Sequence, residues 1–275
     1  MFLYQDMRQF LFTCFILLAL SSLPLLAHGD LHEQIEALTQ QLKEQPKNAV
    51  LYVQRGLLYQ AHGSYEEATN DFQKALKVDK QLKLVYLHLS QSYLGQEQAD
   101  SALYSIQTYL THFPNNPTAL ISRGEAYSGL KQYDLAALDY EKSIELKGEK
   151  TTVQDYISWS KSVSSTNGDA VACLEKGMTH LGKLITLQQE ALNLELKTAQ
   201  YEAAVWRIDT ILEGLQRKEI WLVKKAEVLI LAKRETEATT ALNEARLAIG
   251  NLKPRAKNTD VIKKLMDRIE ELEPK

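Results

Sequence analysis

Small and bulky apolar residues recur along this chain at a fixed spacing of 34 residues. An alanine occupies one position six times in succession, and a bulky residue follows each alanine by four positions. Offsets of three, four and seven residues put side chains on one side of an α-helix, and each unit carries two such stripes. The pattern therefore predicts a stack of units that each contain two antiparallel helices. The alanines are Ala68, Ala102, Ala136, Ala170, Ala204 and Ala238; their bulky partners are Phe72, Ile106, Tyr140, Leu174, Ile208 and Leu242.

The first helix of each early unit carries a small residue three positions before a tyrosine. The small residues are Gly56, Ser90 and Gly124, and the tyrosines are Tyr59, Tyr93 and Tyr127. A small residue lets two helix backbones approach closely, so we expect Gly56 to face the region of Ala68. We expect Gly63, Gly95 and Gly129 to break the chain between the two helices of a unit.

These columns resemble tetratricopeptide repeats. The first unit reads Tyr52, Gly56, Tyr59, Ala68, Phe72, Ala75, and Pro114 closes the second. The resemblance implies an all-α, right-handed solenoid of about six helix pairs, with capping helices at both ends. It is strongest in the first three units. In the later ones Lys161 and Glu195 replace the tyrosine, and Leu192 replaces the small residue.

The repeat windows divide the chain into four parts. Residues 49–250 form the array, with windows that begin near Ala49, Lys83, Pro117, Thr151, Ile185 and Glu219. Residues 30–48 are expected to form an N-terminal capping helix with Leu31, Ile35, Leu38 and Leu42 on one stripe. Residues 251–275 are expected to form a C-terminal capping helix with Val261, Ile262, Leu265, Ile269 and Leu272 on one stripe. A solenoid needs such ends because its last repeats must cover an apolar surface.

Residues 1–29 have the layout of a secretory signal peptide. A short segment with Asp6 and Arg8 precedes the apolar run 10–27, which ends in small residues before the polar His28-Gly29-Asp30. Cleavage after Ala27 or Gly29 is expected, and an uncleaved signal anchor is the alternative, because eighteen apolar residues would span about 27 Å as a helix. On either reading the repeats are exported. For a bacterial cell this means the periplasm, or the membrane facing it.

Charge and chemistry exclude several classes of function. The formal net charge is −3 with no basic stripe, which argues against a nucleic-acid partner. Cys173 alone remains after signal removal and is expected to be a buried thiol. His28 and His32 are four positions apart but straddle the expected cleavage site, where order is least expected. The other four histidines fall in different units without a Cys or carboxylate at metal-ligand spacing. No phosphate loop, dinucleotide turn or nucleophile elbow is present, so we predict no enzyme activity, no metal and no cofactor.

The resemblance also assigns a binding groove, since the first helix of each tetratricopeptide unit lines the concave face. Trp159 is the expected hot spot. Two alternatives stay open: Leu57 or Leu87 packs against the N-terminal helix, and Trp159 is core if the fourth unit is shifted by one residue. Trp206 and Trp221 are expected to pack between helices. The assigned residues are Val53, Leu57, Leu87, Gln91, Ile121, Glu125, Asp155, Trp159, Gln189, Asn193, Val223 and Glu227.

The expected function is an exported scaffold or adaptor that binds a segment of a partner protein in this groove, as an envelope assembly factor. The chaperone clamp of the family, built of Lys, Asn and Arg, is absent, because its places hold Val53, Leu57, His88, Thr118 and Ser122. The rival hypotheses are a self-associating structural module and a small-molecule-binding protein or enzyme.

Overall fold

All regular structure in the described part of the chain is helical, which confirms the predicted all-α class. The computed structural model describes residues 28–166 and 168–273. Fifteen α-helices lie in these ranges. They are α1 His28–Glu44, α2 Ala49–His62, α3 Tyr65–Val78, α4 Val85–Gly95, α5 Ala99–Leu110, α6 Pro117–Gly129, α7 Tyr133–Lys147, α8 Val153–Ser165, α9 Ala170–Leu181, α10 Ile185–Lys197, α11 Tyr201–Glu213, α12 Glu219–Leu231, α13 Glu235–Gly250, α14 Pro254–Lys257 and α15 Asp260–Leu272.

The chain divides into two compact units, one that ends at Glu149 and one that begins at Lys150. In the first unit α2 packs against α3, α4 against α5, and α6 against α7. In the second unit the pairs are α8 with α9, α10 with α11, and α12 with α13. Each pair corresponds to one 34-residue window, so the predicted helix-pair repeat is confirmed.

The alanine column forms the contacts inside these pairs. All six alanines and their six bulky partners are buried. The small residues of the first helices explain how the pairs close. A Cβ atom at Gly56 would lie 2.7 Å from the Phe72 ring, and one at Gly124 would lie 3.0 Å from the Tyr140 ring. Gly56 therefore faces the ring of Phe72, one helical turn after Ala68 on the partner helix.

The chain leaves the first helix of each early pair at or beside Gly63, Gly95 and Gly129, as predicted, but the three turns are built differently. Gly95 and Gly129 are the last residues of α4 and α6, and the left-handed residue comes two positions later, at Glu97 and Lys131, each with φ of 59°. Gly95 is small because a Cβ there would lie 2.5 Å from the Tyr65 ring. Gly63, with φ of 82°, is itself the left-handed residue that ends α2.

The two end helices cover the exposed ends of their units. Helix α1 packs on α2, with Ile35 and Leu42 buried. Helix α15 packs on α12 and α13, with Ile262 and Ile269 buried, whereas Val261 is exposed and does not join the stripe as predicted. The predicted signal segment lies outside the described residues apart from its last two positions, His28 and Gly29, which begin α1. Among the helices that are described, none is both long enough and apolar enough to cross a bilayer.

Partly buried ion pairs connect the two helices of particular repeats. Arg55 binds Asp71 through both carboxylate oxygens at 2.6 and 2.8 Å, and Arg123 binds Asp139 in the same way at 2.7 and 2.6 Å. The hydrogen bonds to Asp71 and Asp139 raise the pKa of both guanidinium groups. The two pairs are separated by two repeat lengths, so they fix equivalent helix contacts.

A different charged cluster fixes the middle of the second unit. Arg207 of α11 donates to Glu195 of α10 at 2.6 Å, to Gln188 at 2.9 Å and to Glu175 of α9 at 2.7 Å. Arg207 and Glu195 are each 2% exposed. Burial lowers the pKa of Arg207, but the hydrogen bonds to Glu195 and Glu175 outweigh it and leave the pKa raised. Glu195, which replaces the repeat tyrosine, is thus paired inside the core.

We expect the buried His88 to make the first unit sensitive to acid. Its Nδ1 atom is buried and has no hydrogen-bond partner among the described residues, and burial lowers the pKa of the imidazole below 6.5. The unfolded chain therefore binds a proton before the folded one does, and stability falls as pH drops from about 6.5 through the folded pKa. We expect His88→Leu to reduce this acid loss, measured as the unfolding free energy in urea from pH 7.5 to 5. The exposed His112, replaced by leucine, is the matched control; an equal reduction in both variants would contradict the assignment.

Candidate functional site

The exposed side chains of the first helices in each pair form a continuous surface within each unit, here called the first-helix face. In the first unit α2 contacts α4 and α4 contacts α6; in the second α8 contacts α10, and α10 and α12 line a common cavity. All of the predicted groove residues belong to these first helices. Their burial decides which of them a partner can reach.

In the first unit the predicted residues range from core to surface. Val53 is 3% exposed and belongs to the core. Leu57 and Leu87 are half-buried and pack against the core clusters of their own unit. Gln91 and Ile121 are half-buried, and Glu125 is exposed. Partial desolvation by the surrounding helices raises the pKa of the Glu125 carboxyl group. A partner can therefore reach Glu125 fully and the half-buried residues in part.

Two predicted residues of the fourth repeat serve the fold. The Asp155 carboxylate accepts from the Thr152 backbone at 2.8 Å and from its hydroxyl at 2.9 Å, which makes it part of a capping box for α8. Trp159 is 6% exposed, and the Lys176 ammonium lies 4.8 Å from its ring. Its burial does not support a hot-spot role and agrees with the alternative that Trp159 is core.

The other two tryptophans lie in different surroundings. Trp221 is half-buried against the core of the second unit, which confirms its predicted packing role. Trp206 is 58% exposed on α11, so the expectation that it packs between helices is wrong. Tyr104 and Leu138 occupy the same repeat position of their second helices as Trp206 and are also exposed. Tyr104 precedes Leu138 by one repeat length, and Leu138 precedes Trp206 by two. These exposed positions were not predicted, because the repeat signal in the sequence comes from the buried stripes.

The remaining predicted residues meet at one cavity in the second unit. Gln189 and Asn193 of α10 and Val223 and Glu227 of α12 line a cavity of about 280 Å³. The other lining residues are Leu192, Ile220, Trp221, Lys224, Leu265 and Arg268. Leu265 and Arg268 come from α15, outside the 34-residue repeat, so the period gave no signal for them.

A shared carboxylate dominates the electrostatics of this cavity. Glu227 accepts from Lys224 at 3.2 Å and from Arg268 at 2.8 Å. Arg268 also donates to Glu271 at 2.9 Å, and the hydrogen bonds to Glu271 and Glu227 raise its pKa. Both cations keep more than two fifths of their side-chain surface exposed. The arrangement can bind an additional anionic group at its mouth.

Two further features of the described part of the chain concern possible metal ligands and the Cys173 thiol. Within residues 28–166 and 168–273 no group of three His, Cys, Asp or Glu side chains could hold a metal ion. Cys173 is 5% exposed, and its Sγ lies 3.7 Å from the Asp169 carbonyl oxygen. The expected buried thiol is confirmed.

Comparisons with known proteins agree with the helix-pair architecture. A family model described as tetratricopeptide repeat matches residues 49–82 and 117–150, the first and third predicted windows. These are also the repeats with the Arg–Asp pairs. A search of curated proteins gives no match.

Solved structures with this fold are distant in sequence. A tetratricopeptide repeat protein from Parabacteroides merdae ATCC 43184 is similar with a TM-score of 0.56 and 19% identity, over 88% of this chain and 93% of that chain. MamA 41-end from Desulfovibrio magneticus RS-1 gives 0.51 and 19%, over 58% of this chain and 87% of that one. The APC/C hetero-tetramer Cut9–Hcn1 gives 0.51 and 16%, over 88% of this chain and 46% of the chain matched there. At these identities the likeness shows the fold alone.

Proposed function

Because this chain is a tetratricopeptide-repeat protein, we propose that it is a scaffold without enzyme activity that binds a partner protein through its first-helix face. Proteins of this repeat family are typically interaction scaffolds, and one structure of the same fold is a hetero-tetramer. The observation that carries the proposal is the cavity of the second unit. Four residues at repeat-equivalent positions of two first helices line it together.

The exposed chemistry of the face suits a polypeptide partner. Glu125, Gln189 and Asn193 offer hydrogen-bonding side chains to solvent, while Leu57, Leu87 and Ile121 add half-buried apolar surface. Polar groups that fix orientation beside apolar contact area are the usual composition of a protein interface. Within each unit the stacked helices present these side chains at fixed spacing, so little ordering is needed on binding.

We further propose that the protein is exported and acts in assembly of the cell envelope. The support is the apolar segment 10–27 and its small-residue end before His28. N-terminal sequencing of the protein recovered from its natural cells tests this. A first residue at His28 or Asp30 in an envelope fraction is expected, and an intact Met1 in the cytosol would contradict it.

Site-specific crosslinking in the natural cells tests the binding face. A photo-crosslinking amino acid replaces Glu125 in the first unit or Asn193 in the second, both exposed on first helices. We expect crosslinks to one defined partner protein from these positions. The controls are Asn70 and Thr240, two exposed residues that occupy the same repeat position as each other on second helices.

The rival functions give different products. Crosslinks from Tyr104 or Trp206 alone would place the interface on the second helices and overturn the proposal. A product of twice the chain mass from all positions would favour self-association. Thermal stabilisation by a metabolite, without any protein crosslink, would favour a small-molecule function.

A further inference from the structure

The cavity of the second unit has the size of a receptor for one or two side chains. Its volume of about 280 Å³ lies below the range of roughly 300–1,000 Å³ that holds drug-sized ligands. Its walls come from three helices, α10, α12 and α15. This size suits a large side chain of a bound polypeptide better than a whole cofactor.

The interior of the cavity is apolar. Leu192 and Val223 are 2% and 3% exposed, so only a small part of each remains available to a ligand. Leu265 and Trp221 are half-buried and pack against the same core. An aromatic or leucine side chain would gain contact here with little rearrangement, because the surrounding residues are already fixed by the core.

The mouth of the cavity is positively charged. Among the lining residues Lys224 and Arg268 are cationic and Glu227 alone is anionic, which leaves a net charge of +1. Arg268 also pairs with a second carboxylate, that of Glu271, which is 65% exposed and does not line the cavity. Two cations that share one carboxylate favour a further carboxylate by charge complementarity.

Two amides complete the mouth on the opposite helix. Gln189 and Asn193 lie one turn apart on α10 and are exposed. Neither side chain makes a hydrogen bond to another residue within the described ranges. They can pair with the backbone of a bound segment, as side-chain amides both donate and accept.

We propose that this cavity receives a large apolar side chain of a partner polypeptide together with an adjacent carboxylate. The apolar side chain enters between Trp221 and Leu265, and the carboxylate binds Lys224 and Arg268. The carboxylate comes either from an acidic side chain or from the chain terminus of the partner. This inference rests on the proposed function and adds the chemistry that the partner must carry.

Selection of random twelve-residue peptides displayed on phage tests the inference, with the protein purified after expression of the full chain. We expect enriched peptides to carry an aromatic residue or leucine within two positions of Asp, Glu or the free terminus. Lys224→Glu should weaken synthetic copies of them about tenfold. Lys263→Glu is the matched control, because Lys263 is a 65% exposed cation on α15 that does not line the cavity. Thermal melting establishes that both variants fold.

The indole signals of the three tryptophans report where a peptide binds. In an amide and indole NMR spectrum we expect a selected peptide to shift the Trp221 signal and leave Trp206 unchanged. Amidation of the peptide terminus distinguishes the two carboxylate sources. It removes a terminal carboxylate and leaves acidic side chains intact, so binding is weakened only if the terminus supplies the carboxylate. Peptides that bind without shifting the Trp221 signal, or that bind the Lys224→Glu variant equally well, would overturn the proposed role of the cavity. The scaffold function would still stand. If no peptide is selected although the crosslinks to a partner form, the proposed role of the cavity is likewise overturned and the scaffold function stands.

Discussion

Arg207→Met is expected to lower the free energy of unfolding by about 3–5 kcal/mol. The substitution removes the only cation that pairs with Glu195 among the described residues, and Glu195 is 2% exposed. A buried carboxylate without a partner keeps its desolvation penalty and loses the attraction that offset it. Gln188 loses its bond to Arg207 as well. Urea unfolding measures the global loss, and amide hydrogen exchange of α9 to α11 locates it.

A matched arginine in the same unit separates burial from charge. Arg234 also binds two carboxylates, Glu202 and Glu237, each at 2.6 Å, but both partners are more than half exposed. Arg234→Met should therefore change stability far less than Arg207→Met, because water replaces the lost partner. The double variant Arg207→Met with Glu195→Met should recover most of the loss, since no buried charge remains. Similar losses in both single variants would show that burial of the pair is not decisive.

The repeat columns predicted the buried framework well because packing inside a helix pair needs a particular residue size at a particular place. The positions of Ala68 and Phe72 leave room for little else once Gly56 lies against the Phe72 ring. Such constraints recur with every unit and stand out as a period. The turns were harder to predict, because Glu97 and Lys131 adopt a left-handed conformation that their residue types do not announce.

Charge pairing within the core followed no single column. In the first and third repeats an arginine of the first helix meets an aspartate of the second. In the fifth repeat Arg207 occupies the aspartate column, and its partner Glu195 occupies the tyrosine column. The Arg and Asp spacing of 16 residues, repeated 68 residues later, was a readable signal for the first case. The inverted pair could be recognised only with the helices in place.

The candidate site was predictable only where the repeat rule governs it. Gln189 and Asn193 were placed correctly on an exposed first helix because they follow the repeat register. Asp155 was lost to the groove because a carboxylate at the third helical position caps its own helix. Leu265 and Arg268 lie on a helix beyond the repeats, and their approach to α12 depends on tertiary packing.

Gly56→Val is expected to destabilise the first unit by about 1–3 kcal/mol. The added Cβ would lie 2.7 Å from the Phe72 ring, which is fully buried and enclosed by the core of α2 to α4. Neither helix can yield without separating, because the ring has no alternative space in a close-packed interior. Urea unfolding measures the loss, and hydrogen exchange should show it in α2 and α3.

Gly250 provides the opposite case on the same type of element. It also lies in a helix, at the end of α13, and a Cβ there would meet no atom of the described residues within 4 Å apart from its own helix backbone and chain neighbours. Gly250→Ala should leave stability unchanged or raise it by up to about 1 kcal/mol, since alanine has the better helix propensity. A loss at Gly250 equal to that at Gly56 would mean that backbone flexibility, rather than contact with Phe72, selects glycine in this fold. A loss of stability at Gly56 alone would instead show that the small residue of the repeat is needed to make room for the Phe72 ring.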